Sequence, residues 1–412
     1  MLYLLFVLAI GIPVFIAELV LGRAAQRGAV GIFAALAPNR RFWKLTGWLG
    51  FLAAFVILSY YSVVSGWGLN YILLSLTQSF SGRSAQEISG AFDVLYTSSD
   101  INIFWHGIFM LITIAVVLQG VRAGIERWSR IMMSGLFAML FGLFLYGLTL
   151  DGFREAVHFM LWPDMSKVTA AGALEALGLA LFTLSLGQGV MLTYGSYMRQ
   201  GESILRTALL ISGMVLLVAL LSGLTIFPIV FAFGLPASGG EGLVFKTLPV
   251  LFAQLPGSLV LSTIFFLLLV FAALTSAVAF LEVVVANFMD LYGWSRRRGV
   301  LTLGGLIFLA GIPSALSEST ALISGWKSLF GVSFFHSMDA LTSYWLLPID
   351  ALLVALFAGW GLDRTVLRSQ FGTGSMGWFP TWRFLMRWVV PMAILAILLQ
   401  WSGVIDIDHL FQ

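Results

Sequence analysis

The sequence predicts an all-α, polytopic membrane protein, built as a helical bundle with about ten spans. Of its 412 residues, 60% are hydrophobic and only 10% are charged, a composition that excludes an ordinary soluble domain. Apolar stretches recur along the whole chain, and each has the roughly 20 residues that a helix needs to cross a hydrocarbon core of about 30 Å. A membrane β-barrel would show short segments of alternating hydrophobicity instead.

Hydropathy divides the chain into ten predicted spans, and no linker separates two domains, so we expect a single transmembrane domain over residues 1–412. The predicted spans are 1–22, 43–77, 102–119, 128–150, 173–199, 203–233, 258–292, 299–315, 339–361 and 382–402. Residues 237–254 are shorter and contain Pro249, and we interpret them as a re-entrant or capping hairpin.

The basic residues predict the orientation of the chain. Seventeen of the 22 Lys and Arg residues fall in one set of alternate loops, at 23–44, 122–130, 199–206, 296–298 and 364–387. By the positive-inside rule these loops are cytoplasmic, which places Met1 outside. The net charge is only +3, so the basic residues serve topology and no nucleic-acid partner is expected. The absence of cysteine excludes disulfides and cysteine-ligated metals.

Residues 182–189 interrupt an apolar run that extends from about 173 to 198. Gly187 and Gly189 flank Gln188, and each glycine weakens a helix by roughly 1 kcal/mol relative to alanine. Backbone groups that are freed within a membrane are tolerated only where they line a protein-buried or watery cavity. The sequence therefore predicts a broken helix at the bilayer midplane, with a small-residue packing face between two helices as the alternative.

Glu18 lies within the first predicted span, where a carboxylate is costly and is expected to have a partner and a role. One interpretation is an acid that reaches the cytoplasmic surface, one turn from Arg23. The other is that Glu18 accepts hydrogen bonds from the N–H groups that a break at 187–189 would free.

Two further sets of polar groups lie within predicted spans. Tyr60 and Tyr61 are in mid-span, where a phenol needs a hydrogen-bond partner, either a helix carbonyl or a bound carboxylate. Ala272, Thr275 and Ser276 share one helix face and offer three oxygens of the kind that an alkali cation prefers. Hydroxyls in membrane helices also commonly bond back to their own carbonyls, so this pattern is weak evidence by itself.

Three polar residues lie near the ends of predicted spans: Asp290 and Tyr197 near cytoplasmic ends, and Asp339 near an outer end. Each is singly compatible with an ordinary solvated position, and together they would suit gates that close by ion pairing. Glu282 adds to the polar content of its span. The chain carries no phosphate loop, no metal-spaced His–Glu pair and no Ser–His–acid arrangement, so we expect neither enzymatic activity nor a cofactor.

Taken together, these residues resemble the neurotransmitter:sodium symporter family, especially its bacterial amino-acid transporters, over nearly the whole chain. The resemblance is carried by residues 11–13, 18–23, 60–61 with Trp67, 124–127, 182–189, 193–197, 226–228, 274–276 and Asp339. It implies an inverted-repeat, broken-helix (LeuT-like) bundle with a first repeat in 1–150, a second in 173–361 and an extra C-terminal helix at 382–402. It also implies a multi-pass location in the cell's inner (plasma) membrane.

The resemblance implies a role for each matching position. Tyr61 resembles the tyrosine that holds a substrate carboxylate, and Phe182 resembles the aromatic lid over the substrate. Thr183 and Ser185 resemble residues that line the substrate and first sodium sites. Further implied roles are a side-chain specificity position at Gln188, a second sodium site at Ala272, Thr275 and Ser276, an outer gate at Asp339, and a cytoplasmic gate at Asp290 and Tyr197.

The sequence also departs from the family pattern. Its first span resembles the family's second helix, so the family's first helix is expected to be missing, and the twelfth is missing as well. Met214 appears near the position of a sodium-site asparagine, and Leu179 stands where many members carry a glutamine. Either the sequence is truncated or it encodes a shortened, inactive relative. The persistence of costly polar groups in the membrane favours truncation.

We therefore expect a sodium-coupled symporter of amino acids or related small amines that works by alternating access. Its expected partners are an amino-acid substrate, sodium ions and the lipid bilayer. The chief alternative is a shortened relative that acts as a binding or assembly protein without transport, followed by a channel and a membrane enzyme. Substrate identity, sodium stoichiometry and chloride dependence are left open.

Overall fold

The computed structural model describes residues 2–162, 168–237, 239–318, 323–371 and 373–402, and Met1 of the first predicted span lies outside these ranges. The helices before the interruption at 184–189 are α1 Leu2–Ala25, α2 Ala29–Leu36, α3 Arg41–Leu76, α4 Ala85–Thr97, α5 Ser99–Leu118, α6 Val121–Gly147, α7 Phe153–Leu161 and α8 Ala170–Thr183. The helices after it are α9 Val190–Ser196, α10 Ile204–Ala232, α11 at 240–254, α12 Ser258–Tyr292, α13 Arg296–Ala315, α14 Ser324–Phe330, α15 Phe334–Gly361, α16 Arg364–Gln370 and α17 Met376–Trp401.

Nine of the helices in the described residues are long and apolar enough to cross a membrane, and each coincides with a predicted span. They are α1, α3, α5, α6, α10, α12, α13, α15 and α17. The largest shift is at α6, which begins at Val121 rather than at 128 because the helix continues into charged residues that hydropathy assigns to a loop. The predicted span 173–199 is the discontinuous pair α8 and α9. The broken-helix membrane bundle is therefore confirmed.

The hairpin predicted at 237–254 is wrong. Residues 240–254 form one helix, α11, which lies against α4. Pro249 suggested a chain reversal, but it enters the first turn of Leu248–Gln254 directly after the π-helical segment Leu243–Thr247. A proline in the first turn of a helix is compatible with continued helical geometry.

The centre of the bundle is formed by α3 and α12, which pack along each other and are the longest helices, with 36 and 35 residues. Their buried apolar faces belong to one core that also includes α5 and α13. A second core joins α1 to α8, α15 and α17. The interruption at 184–189 borders both cores, since Leu184 and Leu186 belong to the second core and Val190 belongs to the first.

Close backbone contact between α1 and α9 fixes the far side of that interruption. A side chain at Gly22 would collide with the backbone of Leu192 and Ser196, and one at Gly195 would lie 2.9 Å from the Cα of Leu19. Small residues allow two membrane helices to approach in this way. The contact holds α1, and with it Glu18, against the broken helix.

Candidate functional site

The break lies between α8 and α9, over residues 184–189. Ser185, Gly187 and Gly189 have φ values of 55°, 70° and 69°, a left-handed conformation that cannot continue an α-helix. Ser185 is one of three residues other than glycine with positive φ in the described part of the chain. Strained backbone of this kind concentrates at functional sites.

The glycines of the break are required by close neighbours. A side chain at Gly187 would collide with the backbone carbonyl of Leu347 on α15. At Gly189 it would lie 3.1 Å from Val283 and 3.3 Å from the backbone of Gly50. The break is therefore pressed between α3, α12 and α15, and no larger residue fits at Gly187 without movement of the backbone.

Glu18 accepts a hydrogen bond of 2.9 Å from the backbone N–H of Gly187, and its side chain is fully buried. This is the contact expected if Glu18 serves the break. Arg23 is directed elsewhere, since its guanidinium donates to the side chain and carbonyl of Gln370 and to the carbonyl of Glu202. Glu18 is thus a partner of the broken backbone rather than of Arg23.

Asp350 on α15 is a second carboxylate behind the break, and sequence reasoning missed it. It is fully buried, and neither of its oxygens has a hydrogen-bond partner among the described residues. A Cβ atom added at Gly50 would lie 3.2 Å from one of these oxygens, and Gly50 in turn lies against Gly189. Asp350 is close enough to Glu18 for their charges to interact. The rule that flags acidic residues within apolar spans would have found it.

A cavity of about 700 Å³ lies in front of the break. Its lining comes from α1, α3, α6, α8, α10 and α12 and from the break itself. The lining residues are Tyr3, Tyr61, Met133, Leu136, Phe137, Phe182, Thr183, Ser185, Gln188, Leu210, Ile211, Met214, Val215, Val218, Ala219, Ala272, Thr275, Ser276 and Phe280. All eight residues that the sequence assigns to substrate or sodium therefore line one cavity.

The polar groups of this cavity are few. Gln188 is 1% exposed, and neither its amide oxygen nor its amide nitrogen has a partner in the described residues. The hydroxyl of Thr183 shares a hydrogen bond of 2.9 Å with the hydroxyl of Tyr3, a contact that the sequence did not suggest. Apolar walls with a few directed polar groups are typical of small-molecule sites.

The hydroxyls of Thr275 and Ser276 both donate to the carbonyl of Ala272, at 2.7 and 3.4 Å. These are the local bonds that hydroxyls in membrane helices commonly make. The three oxygens are nevertheless grouped on the cavity wall, and hydroxyl oxygens keep lone pairs for a cation. This geometry fits both a sodium site and ordinary hydrogen bonds within the helix.

A second cavity of about 360 Å³ adjoins the first, since Tyr61 and Ala272 line both. Asp339 lines it and accepts a hydrogen bond of 3.1 Å from Tyr60, the neighbour of Tyr61. Glu241 also lies there, and the imidazole of His336 beside it lowers the pKa of that carboxyl. We call this the outer cavity, because the charge pattern predicts that this end faces outside.

At the predicted cytoplasmic end, Tyr197 donates a hydrogen bond of 2.7 Å to Glu282. Glu282 also forms an ion pair with Arg296, whose Nε donates to the carbonyl of Val117. Asp290 is exposed and contacts Gly31 rather than Tyr197. The structure thus joins Tyr197 to Glu282, a residue to which the sequence gave no role, and the two are 85 positions apart along the chain.

The structure also shows where the two residues that depart from the family pattern, Met214 and Leu179, lie. Met214, which is near the expected position of a sodium-site asparagine, lines the cavity. Leu179 lies outside the cavity lining and is 52% exposed. Only the first of these bears directly on the site.

Comparisons with known proteins give a consistent result. A family model described as the sodium:neurotransmitter symporter family matches residues 1–91 and 97–407. An uncharacterized sodium-dependent transporter of Bacillus subtilis, YhdH, is 38% identical over 409 residues, which cover 98% of this chain and 90% of the relative. The sodium-dependent serotonin transporter of Drosophila melanogaster is 25% identical over 470 residues, covering 94% of this chain and 74% of that protein.

Among solved structures, the crystal structure of MhsT in complex with L-phenylalanine matches with a TM-score of 0.88 and 39% sequence identity. The match covers 97% of this chain and 90% of MhsT. This chain is therefore similar to MhsT both in its sequence and in the arrangement of its helices.

Proposed function

Because the chain belongs to the sodium:neurotransmitter symporter family and is a multi-pass membrane protein, we propose that it is a sodium-coupled symporter of an amino acid or a related small amine. The single observation that carries the proposal is the cavity in front of the 184–189 break, which gathers all the assigned substrate and sodium residues. Its proposed location is the cell's inner (plasma) membrane, which suits a multi-pass transporter similar to the bacterial protein YhdH.

In this proposal the substrate occupies the 700 Å³ cavity. Tyr61 donates its hydroxyl to the substrate carboxylate, and Phe182 covers the bound molecule. Thr183 and Ser185, with the open backbone of the break, face the substrate and the first sodium ion. The carbonyl of Ala272 and the hydroxyls of Thr275 and Ser276 bind the second sodium ion.

Gln188 faces the substrate side chain. The MhsT structure contains L-phenylalanine, so an amino acid is the substrate class that we propose first. Because Gln188 is buried and has no hydrogen-bond partner among the described residues, we expect the site to prefer a side chain that can hydrogen bond to an amide.

Transport would proceed by alternating access between the two repeats, 1–150 and 173–361, with 382–402 as an accessory helix. Sodium and substrate shift the balance between outward-open and inward-open states by as much as their affinities for those states differ. Asp339, bonded to Tyr60, would close the outer side. Tyr197, which donates to Glu282, would close the cytoplasmic side, with Asp290 farther along the same helix as Glu282.

The proposal is tested by uptake of radiolabelled amino acids into vesicles that contain the purified protein, with an inward sodium gradient or with potassium in its place. We expect uptake only with sodium, and Tyr61→Phe should reduce it by at least about tenfold, because a hydrogen bond to a charged group contributes roughly 1.5–3 kcal/mol. Tyr71→Phe is the matched control, since Tyr71 lies on the same helix and donates to the carbonyl of Phe245, away from the cavity. Its uptake per folded molecule should equal that of the wild type.

Sodium-dependent binding without any flux would instead support a binding or assembly protein on the same scaffold. Uptake that is indifferent to sodium would contradict the symport proposal outright.

A further inference from the structure

A cavity of about 380 Å³ lies at the start of α17, apart from the site described above. It is on the side of the membrane to which the charge pattern assigns the cytoplasm. Three arginines, three aromatic rings and one proline line it: Arg364, Phe379, Pro380, Arg383, Phe384, Arg387 and Trp388.

Arg383 is close enough to both Arg364 and Arg387 for its positive charge to be repelled by theirs. In the described part of the chain, no carboxylate oxygen comes within 4.0 Å of any of them. Asp363 is the nearby acid, but its Oδ1 accepts the backbone N–H and the hydroxyl of Thr365, at 2.7 and 2.6 Å. These bonds cap α16, and they hold the pKa of Asp363 below its ordinary value.

Two of the guanidinium groups favour ligand binding, one because it has an unused donor and one because its position is fixed. The Nε of Arg383 is buried and has no partner among the described residues. Arg387 is held in place by donating its Nε to the carbonyl of Gly359, at 2.7 Å, and by stacking 4.6 Å above the ring of Trp360. Clustered like charges with an unsatisfied buried donor are costly unless an anion joins them.

The rim of the cavity has the composition of a membrane interface. Phe384 and Trp388 of the lining are 57% and 51% exposed, and Trp360, on which Arg387 stacks, is 51% exposed, although all three are large aromatic residues. Aromatic side chains with this exposure are typical of the level of the lipid headgroups. An anion at this position is therefore within reach of the bilayer surface.

We propose that this arginine cavity binds a phosphate group, supplied by the headgroup of an anionic phospholipid in the adjacent leaflet. Arginine is suited to this ligand because its planar fork donates two parallel hydrogen bonds to phosphate. The apolar rim would hold the first part of the acyl chains. The binding does not require transport, so it stands or falls independently of the proposed function.

The test is native mass spectrometry of the purified full chain in detergent micelles that contain phosphatidylglycerol, phosphatidylcholine or inorganic phosphate. We expect retained phosphatidylglycerol on the wild type and not phosphatidylcholine. The double variant Arg364→Gln, Arg383→Gln should weaken retention by about thirtyfold, because each basic residue near an anionic lipid surface contributes about 1 kcal/mol. It leaves the bond between Arg387 and Gly359 intact, and thermal unfolding verifies that it folds.

The matched control is Arg122→Gln, Arg127→Gln, which removes two exposed arginines from the same predicted face outside the cavity. Its phosphatidylglycerol retention should equal that of the wild type. Equal losses in both double variants would overturn the proposal, because retention would then follow net charge alone. Binding of inorganic phosphate that requires Arg364 and Arg383, without lipid retention, would overturn the phospholipid source. Retention of neither probe would overturn the site.

Discussion

The buried carboxylate of Glu18 supports the broken helix by accepting a hydrogen bond from its backbone. Its bond to the N–H of Gly187 is made in a region without solvent, where an unpartnered N–H costs roughly 1–3 kcal/mol. The sequence could suggest this bond, because an acid in an apolar span needs a donor and a broken helix supplies one. It could not identify Asp350 as a neighbour, since the two are more than 300 positions apart.

Asp350 is a second buried carboxylate near the break, and its surroundings predict how its substitution affects stability. Its carboxyl group is fully buried, has no hydrogen-bond partner in the described residues and lies near Glu18. Two carboxylates in such a place repel if both are ionised. We therefore expect Asp350→Asn to keep or raise the thermal unfolding temperature at neutral pH, whereas most buried polar substitutions lower it.

The measurement is thermal unfolding in detergent, with Asp151→Asn as the control because Asp151 is exposed and outside the helices. That control should leave the unfolding temperature unchanged. A fall of several degrees for Asp350→Asn alone would show that the carboxylate of Asp350 is ionised and has a stabilising partner.

The broken helix is the element that the sequence predicts most directly. Gly187 and Gly189 are visible as helix-weakening residues within one apolar run, and both adopt positive φ. The positive φ of Ser185 was not predictable, since nothing in its residue type favours that conformation. The short helices α2, α4, α7, α14 and α16 were missed because they are too short or too polar for a hydropathy pattern.

Three elements meet at Glu282, towards the side that the charge pattern predicts to be cytoplasmic. This carboxylate pairs with Arg296 at the start of α13 and accepts from Tyr197, just beyond α9, while its own side chain is only 1% exposed. Removing one partner of a buried ion pair typically costs roughly 3–5 kcal/mol, because the other charge is left without compensation. The resemblance assigned the cytoplasmic gate to Asp290 and Tyr197 and gave no role to Glu282, the acid to which Tyr197 donates.

We therefore expect Glu282→Gln to lower the free energy of unfolding by about 2 kcal/mol or more, since glutamine keeps the shape but loses the charge. Asp290→Asn, on the same helix, should change it by less than about 0.5 kcal/mol, as is usual at exposed positions. Chemical denaturation of the two variants in parallel measures this difference. Equal effects would show that Asp290 contributes as much to this end as Glu282.

For the whole molecule, hydropathy was sufficient to predict a membrane bundle, and nine of its ten predicted spans match continuous helices in the described residues. The association of α3 with α12, and the enclosure of the break by α1 and α15, depend on helix packing that no span shows by itself. The eight assigned substrate and sodium residues come from α3, α8, α12 and the break, and they meet only in the folded bundle.

The central claim is that the 184–189 break forms the binding site, and its most direct test is equilibrium binding of radiolabelled amino acids to the purified protein in sodium and in potassium buffer. The wild type should bind one or more amino acids in sodium only. Gly187→Ala should abolish that binding, because its methyl group would meet the carbonyl of Leu347 and its φ of 70° is strained for alanine. Gly178→Ala, in α8 with open space around it, should bind as the wild type does. Sodium-dependent binding that survives unchanged in Gly187→Ala, or no sodium-dependent binding of any amino acid by the wild type, would contradict the account.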